Sequence, residues 1–219
     1  MNQAWMIGPA LIQLSWIYFG IALTISWVVL RWLTVYRHHP NAREEALNAL
    51  LTGILVTVFS KIIFRFPILL EDPMTVLTYP SGWREALAGL AAAGVILYRA
   101  QRKAAIRELI PAAALLFLMT HAVYTVFSQP TGIGIHPAAL YMLIASAGAW
   151  IIVRQKPNWT GSTIALWGLT MTAAAYVTAP PVYFVMIVPP PFFLSYAAAG
   201  LLTAVYLSAR VRNAPSYSS

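Results

Sequence analysis

About seven apolar stretches, each near the length of a bilayer crossing, alternate along this chain with short connections, and lysine and arginine crowd into every second connection. A spanning helix needs about 20 mostly apolar residues. Hydrocarbon admits only backbones that satisfy their own hydrogen bonds, which means helices or closed barrels. The runs are continuous and lack the two-residue alternation of a barrel strand, so an all-α integral membrane bundle of about seven transmembrane helices is expected. The expected spans are roughly 8–30, 47–68, 84–98, 108–127, 137–153, 161–179 and 190–209. The third and fifth are short, and Tyr98, Arg99 and Arg154 extend them by reaching towards headgroups. One polytopic domain over residues 1–219 is the natural count.

Composition agrees with that solvent. The chain is 60 % hydrophobic and 9 % charged, against roughly a quarter charged in soluble domains, so it cannot cover itself with polar surface. The net charge of +8 has a home other than nucleic acid. Arg31, Arg37 and Arg43 follow the first span, and Arg99, Arg102, Lys103 and Arg107 separate the third from the fourth. Arg154 and Lys156 follow the fifth, and Arg210 and Arg212 the seventh. The intervening connections, 69–83, 128–136 and 180–189, bring only Glu71 and Asp72, with Arg84 at the edge of the third span. Basic residues stay on the cytoplasmic side of a membrane, so the N-terminus is expected outside and the C-terminus in the cytoplasm. The first stretch lacks a basic leader and a small-residue cleavage site, and its apolar run is too long for a signal peptide. It is expected to be a retained helix. Cysteine is absent, which removes disulfides and thiol nucleophiles.

Proline and glycine punctuate the outer connections. Tyr79-Pro80-Ser81-Gly82 reads as a turn, His136-Pro137 as a helix start, and Pro180-Pro181 and Pro189-Pro190-Pro191 bracket an apolar segment, Val182–Val188. That segment is too short to span and is expected to lie as a loop or arm at headgroup depth. Small residues are dense around Gly89, Ala173–Ala175 and Ala197–Gly200. Such faces let helices approach closely, within one chain or between chains.

Ionisable groups inside a membrane face a cavity or a partner, because exposure to hydrocarbon is costly. Lys61 and Arg65 lie at i and i+4 in the second span, Glu85 sits at the outer end of the third, His121 is in the fourth and His136 opens the fifth. Together they suggest a polar pocket of lipid-headgroup size. Lys61 and Arg65 would neutralise a phosphate, and Glu85, His121 or His136 would move a proton. The plainer alternative is structural: Lys61–Glu85 or Arg65–Glu71 ion pairs and histidines bonded to carbonyls. His38-His39 reads as a solvated pair on a cytoplasmic loop, and no metal spacing or cofactor motif is present.

Several short segments, in order, resemble the prolipoprotein diacylglyceryl transferase family of seven-span bacterial enzymes. Ile7-Gly8-Pro9 is similar to the family's opening Ile-Gly-Pro, and Gly53 through Ser60-Lys61 to its second-span segment, with Lys61 in place of an arginine. Glu71-Asp72-Pro73 resembles its Asp-x-Pro, and His136-Pro137-Ala138-Ala139-Leu140-Tyr141 its His-Pro-x-x-Leu-Tyr-Glu, with Met142 replacing the glutamate. The departures fall on reactive positions. Glu85 stands where the family's Gly-Gly-x-Ser-x-His-Gly-Gly histidine belongs, and the arginine and asparagines that should end the fourth span are missing around Thr120-His121.

The resemblance implies a bacterial plasma-membrane protein that binds an anionic phospholipid, phosphatidylglycerol above all, in a cavity opening to the outer leaflet. It implies headgroup contacts from Lys61, Arg65 and Tyr141, and tentative catalytic roles for Glu85, His136 and His121. The transferase reaction itself does not carry over without the missing arginines. Two uses stay open: an enzyme acting on phospholipid or lipoprotein, or a non-catalytic membrane subunit that binds lipid or a partner protein.

Overall fold

A computed structural model describes residues 4–7, 10–33, 36, 38–71, 81–102, 104–128, 137–178, 182–183, 186–187 and 189–212. Eight helices run through them: α1 Leu14–Trp32, α2 Pro40–Phe64, α3 Phe66–Glu71, α4 Trp83–Ala100, α5 Ile106–Phe127, α6 Pro137–Gln155, α7 Thr160–Thr178 and α8 Phe193–Arg212. Three helical segments, Pro40–Phe64, Ile106–Phe127 and Pro190–Ala209, are long and apolar enough to cross a membrane, as in a multi-pass membrane protein.

Helix starts and stops follow local chemistry. Proline opens both α2 and α6, where a missing N–H costs nothing. α2 ends at Phe64, and Pro67, with no N–H to bond back to the Ile63 carbonyl, keeps the helix from running on unbroken. The Arg65 N–H closes the last turn onto the Lys61 carbonyl at 2.8 Å, and the chain resumes as the short α3.

Boundaries depart from expectation at two helices. α2 starts at Pro40 rather than near residue 47 and ends at Phe64 rather than near 68. The first helix begins at Leu14 rather than near residue 8, because Ala10–Gln13 (β2) pairs antiparallel with Ala4–Ile7 (β1) from Ile7↔Ala10 to Ala4↔Gln13. The two residues left between the strands are Gly8-Pro9, a strong turn signal that hydropathy alone overlooks. The described residues of the Val182–Val188 segment form a second short antiparallel pair, Val182–Tyr183 (β3) with Met186–Ile187 (β4).

Helix α5 is the centre of the bundle. Leu109 and Leu118 are fully buried on it, and it packs against α1, α2 and α6. The closest helix pairs are α2 with α4 and α7 with α8. Glycine permits both. A Cβ on Gly89 would collide with the Thr57 hydroxyl and the Gly53 carbonyl. One on Gly168 would sit 2.7 Å from the Ala197 nitrogen, and one on Gly200 would strike the Ala165 backbone. At these positions the small faces pack within the chain, so the backbones themselves make the van der Waals contact.

Polar bonds show which helix ends lie together. Arg43 Nη1 donates to the Arg31 carbonyl at 3.3 Å, His39 Nδ1 meets Glu108 Oε2 at 2.8 Å, and the Tyr206 hydroxyl donates to Gln101 Oε1 at 3.0 Å. The end of α1, the start of α2, the end of α4, the start of α5 and the C-terminal part of α8 therefore share one end of the bundle. His39 is thus engaged with Glu108 while its side chain stays 40 % exposed, because the fold brings the α5 first turn beside it, and His38 is exposed as expected. Tyr36 is buried in the same junction. Its phenol is pushed up to about 12, first by burial and second by the negative charge of Glu108.

Candidate functional site

The opposite end of the α2–α4 seam holds the charged residues. Lys61 is 3 % exposed on the last turn of α2, and Arg65 follows four residues later, just past the helix end. Arg65 Nε lies 3.4 Å from Glu85 Oε1. The other carboxylate oxygen, Oε2, accepts the Gly82 N–H at 3.0 Å. Glu85 occupies the first turn of α4, where a carboxylate satisfies an otherwise orphan donor and complements the helix dipole. Gly82 makes room for this, since a Cβ there would stand 2.9 Å from Glu85 Oε2 and 3.9 Å from Arg65 Nη2. Two cations and one carboxylate thus share one helix-end cluster, of which the Arg65 side chain is 23 % exposed and the Glu85 side chain 5 %.

His121 is placed elsewhere. Its Nδ1 lies 2.6 Å from the Ser146 hydroxyl of α6, and the Trp167 indole N–H of α7 donates to that same hydroxyl at 3.0 Å. An indole nitrogen can only donate, so Ser146 Oγ accepts from Trp167 and shares one proton with His121. The imidazole stands edge-on to Trp167, with centroids 5.5 Å apart and planes at 84°. His121, Ser146 and Trp167 are each at most 2 % exposed. This knot ties α5, α6 and α7 together, and no face of it opens to solvent or lipid.

A cavity of about 240 Å³ lies between α1, α2, α4, α5, α7 and α8. Thr57, Ser81 and Ala86, the neighbours of the charged cluster, line one end of it, and Thr160, Gly161 and Thr203 line another stretch. Its wall is mostly aliphatic and aromatic, with Trp16, Phe19, Phe117 and Tyr196 among its residues. Thr120 contributes to the wall, while His121 beside it is turned away towards Ser146.

Of the residues expected to form one pocket, the fold unites Lys61, Arg65 and Glu85 and separates His121 from them. Tyr141 is 63 % exposed on the outer face of α6 and does not line the cavity. Met142, at the position of the family's glutamate, is packed in the core. His136, Asp72 and Pro73 lie outside the described residues. Among the described residues, no three His, Cys, Asp or Glu side chains gather as metal ligands. Sequence reasoning passed over Ser146 and Trp167. The signal for Ser146 was a lone hydroxyl inside the apolar run Ala145-Ser146-Ala147-Gly148, which needs a partner in hydrocarbon. No family model, curated protein or solved structure matches this chain.

Proposed function

We propose that the protein is a seven-span bacterial plasma-membrane protein that holds an anionic phospholipid headgroup at the outer end of the α2–α4 seam and acts by binding. In this reading α1, α2 and α4 to α8 cross the bilayer, the N-terminus is outside, and the Arg31, Arg43, Arg99, Arg102 and Arg107 end faces the cytoplasm. Phosphatidylglycerol is the expected ligand, through the resemblance to the diacylglyceryl transferases.

The observation that carries the reading is the gathering of Lys61 and Arg65 at one helix end beside Glu85, with part of the Arg65 side chain left accessible. A phosphate complements the charge of these cations, and the planar guanidinium grips it with directed donors. Binding is favoured over chemistry because the one described histidine of the candidate set, His121, is sealed in the α5–α6–α7 knot. It shares no site with Glu85 from which to exchange a proton.

The test is lipid co-purification read by mass spectrometry, with a phosphatidylglycerol-to-lipobox-peptide transfer assay on the same preparations. Wild type should retain phosphatidylglycerol in excess of a zwitterionic lipid, Arg65→Gln and Lys61→Met should lose the excess, and transfer should be absent. Equal retention by all three proteins removes the headgroup reading. Turnover by wild type replaces binding with an enzymatic function.

A further inference from the structure

The helices form a horseshoe. α4 packs on α2, α2 on α5, α5 on α6, α6 on α7 and α7 on α8. That leaves α4 and α8 as the two tips, with no extended packing between them among the described residues. The cavity occupies this mouth: α4 turns Gly89, Ala93 and Leu97 towards it, and α8 turns Tyr196, Ala199 and Thr203. On the basic side one bond crosses the gap, with the Tyr206 hydroxyl donating to Gln101 Oε1 at 3.0 Å, and β4 lies against α4.

The lining chooses the occupant. Thr57, Thr120, Thr160 and Thr203 all donate their hydroxyl protons to carbonyls of their own chain segment, at Gly53, Leu116, Pro157 and Ala199. They present methyl groups and an acceptor lone pair to the cavity. A phosphate or a file of water entering past them would give up bulk hydrogen bonds without finding these donors, whereas a hydrocarbon gives up nothing. Dry apolar cavities of about 150 Å³ already take a benzene-sized guest, and this one is about 240 Å³. In a bilayer the surrounding supply of matching shape is the acyl chain.

We propose that the cavity holds one aliphatic chain from the surrounding bilayer, that the chain enters sideways between α4 and α8, and that the Tyr206–Gln101 bond latches this mouth. The proposal rests on the membrane placement of the bundle and is independent of the charged cluster. Its test therefore uses a lipid with no net charge.

The chain has no cysteine, so a Gln101→Cys/Tyr206→Cys pair gives a single, reversible cross-link at the latch. The full-length protein is placed in nanodiscs, tail-brominated phosphatidylcholine is added, and quenching of the Trp16 component is followed as the difference between each protein and its Trp16→Phe counterpart. Trp16 lines the cavity. Its component should be quenched in the wild type and spared when Ala199→Phe fills the space, with Ala113→Leu as the second filling variant if the first does not fold. Quenching should slow markedly in the oxidised pair and recover on reduction. Tyr206→Phe should speed it by about 2- to 10-fold, the range one neutral hydrogen bond supplies.

A Trp16 component that bromine never quenches shows that no chain enters. Equal quenching in the filled variants shows that Trp16 is reached from outside the cavity. Identical rates for oxidised and reduced pairs show that the mouth is not the entry. Each of the three overturns the proposal. Loss of phosphatidylglycerol preference with intact Trp16 quenching would instead remove only the headgroup reading.

Discussion

Arg65 and His121 are both polar side chains in an apolar bundle, yet the Arg65 side chain keeps 23 % of its surface and His121 keeps 2 %. Arg65 sits beyond the end of α2, where the break before Pro67 frees it to turn back onto Glu85. His121 sits in mid-helix, where α6 and α7 close over it and supply Ser146 and Trp167. The charged cluster keeps an accessible edge at Arg65, while the His121 knot is enclosed by its own helices. What separates the two is the helix end. Polar groups at an end can exchange partners with the surroundings, and those in the middle must bring their partners with them.

Glu85→Ala should break this contrast most severely. It leaves Lys61 and Arg65 facing each other in a largely buried site and orphans the Gly82 N–H. The expected loss is about 3–5 kcal/mol, the cost of removing one partner of a buried ion pair, read as a lowered unfolding midpoint in nanodiscs. An unfolding midpoint equal to wild type would mean that the carboxylate does not hold the cluster.

Ser146→Ala tests the other member. Removing the hydroxyl strips partners from His121 Nδ1 and the Trp167 N–H, at about 1–3 kcal/mol for each buried group left unsatisfied. Stability should fall while phosphatidylglycerol retention stays at the wild-type level. A parallel loss of lipid would join the two clusters into one functional unit and end the distinction.

Arg65→Lys sharpens the comparison with a smaller effect. The charge stays, the planar fork goes, and the direct cost in stability should be below about 1 kcal/mol, since the charge is kept and the Arg65 side chain is partly exposed. Lipid preference should fall to a level between wild type and Arg65→Gln, as measured by co-purification. A preference equal to that of Arg65→Gln would assign the headgroup contact to guanidinium geometry rather than to charge.

A third polar site, outside the expected spans, gives an effect that appears only at high pH. Tyr36 titrates near 12 when folded, against about 10 in an unfolded chain. The raised value means that the neutral phenol is favoured by folding. Its contribution is full below pH of about 10 and is lost as the pH climbs through the folded value. The difference in unfolding midpoint between wild type and Tyr36→Phe, followed upwards from a pH of about 9, where the phenol is still neutral, should stay constant at first and then change against the wild type near pH of about 10–12. A flat difference across that range would mean that Tyr36 ionises as freely in the folded protein as in the unfolded one.

Much of the fold was legible from hydropathy and punctuation. Pro137 and the Pro189–Pro191 run mark helix starts, and the basic connections mark which helix ends congregate. The β1–β2 pair was not legible, because Ala10–Gln13 is as apolar as the helix it precedes and only its pairing with Ala4–Ile7 distinguishes it. Of the candidate site, the i, i+4 placement of Lys61 and Arg65 was readable from spacing. That Glu85 joins them depends on α4 starting beside the end of α2, twenty residues later in the chain.

The sequence by itself determined the apolar, helical class and the gathering of basic residues into alternate connections, because each is a sum over many residues and survives any detail of packing. The tertiary structure alone decided which polar residues share a site. Lys61, Arg65, Glu85 and His121 are equally costly in hydrocarbon when read one at a time. Only the crossing of α2 with α4, made possible by Gly53 and Gly89, and the closure of α6 and α7 over α5 determine which of them meet and which are sealed.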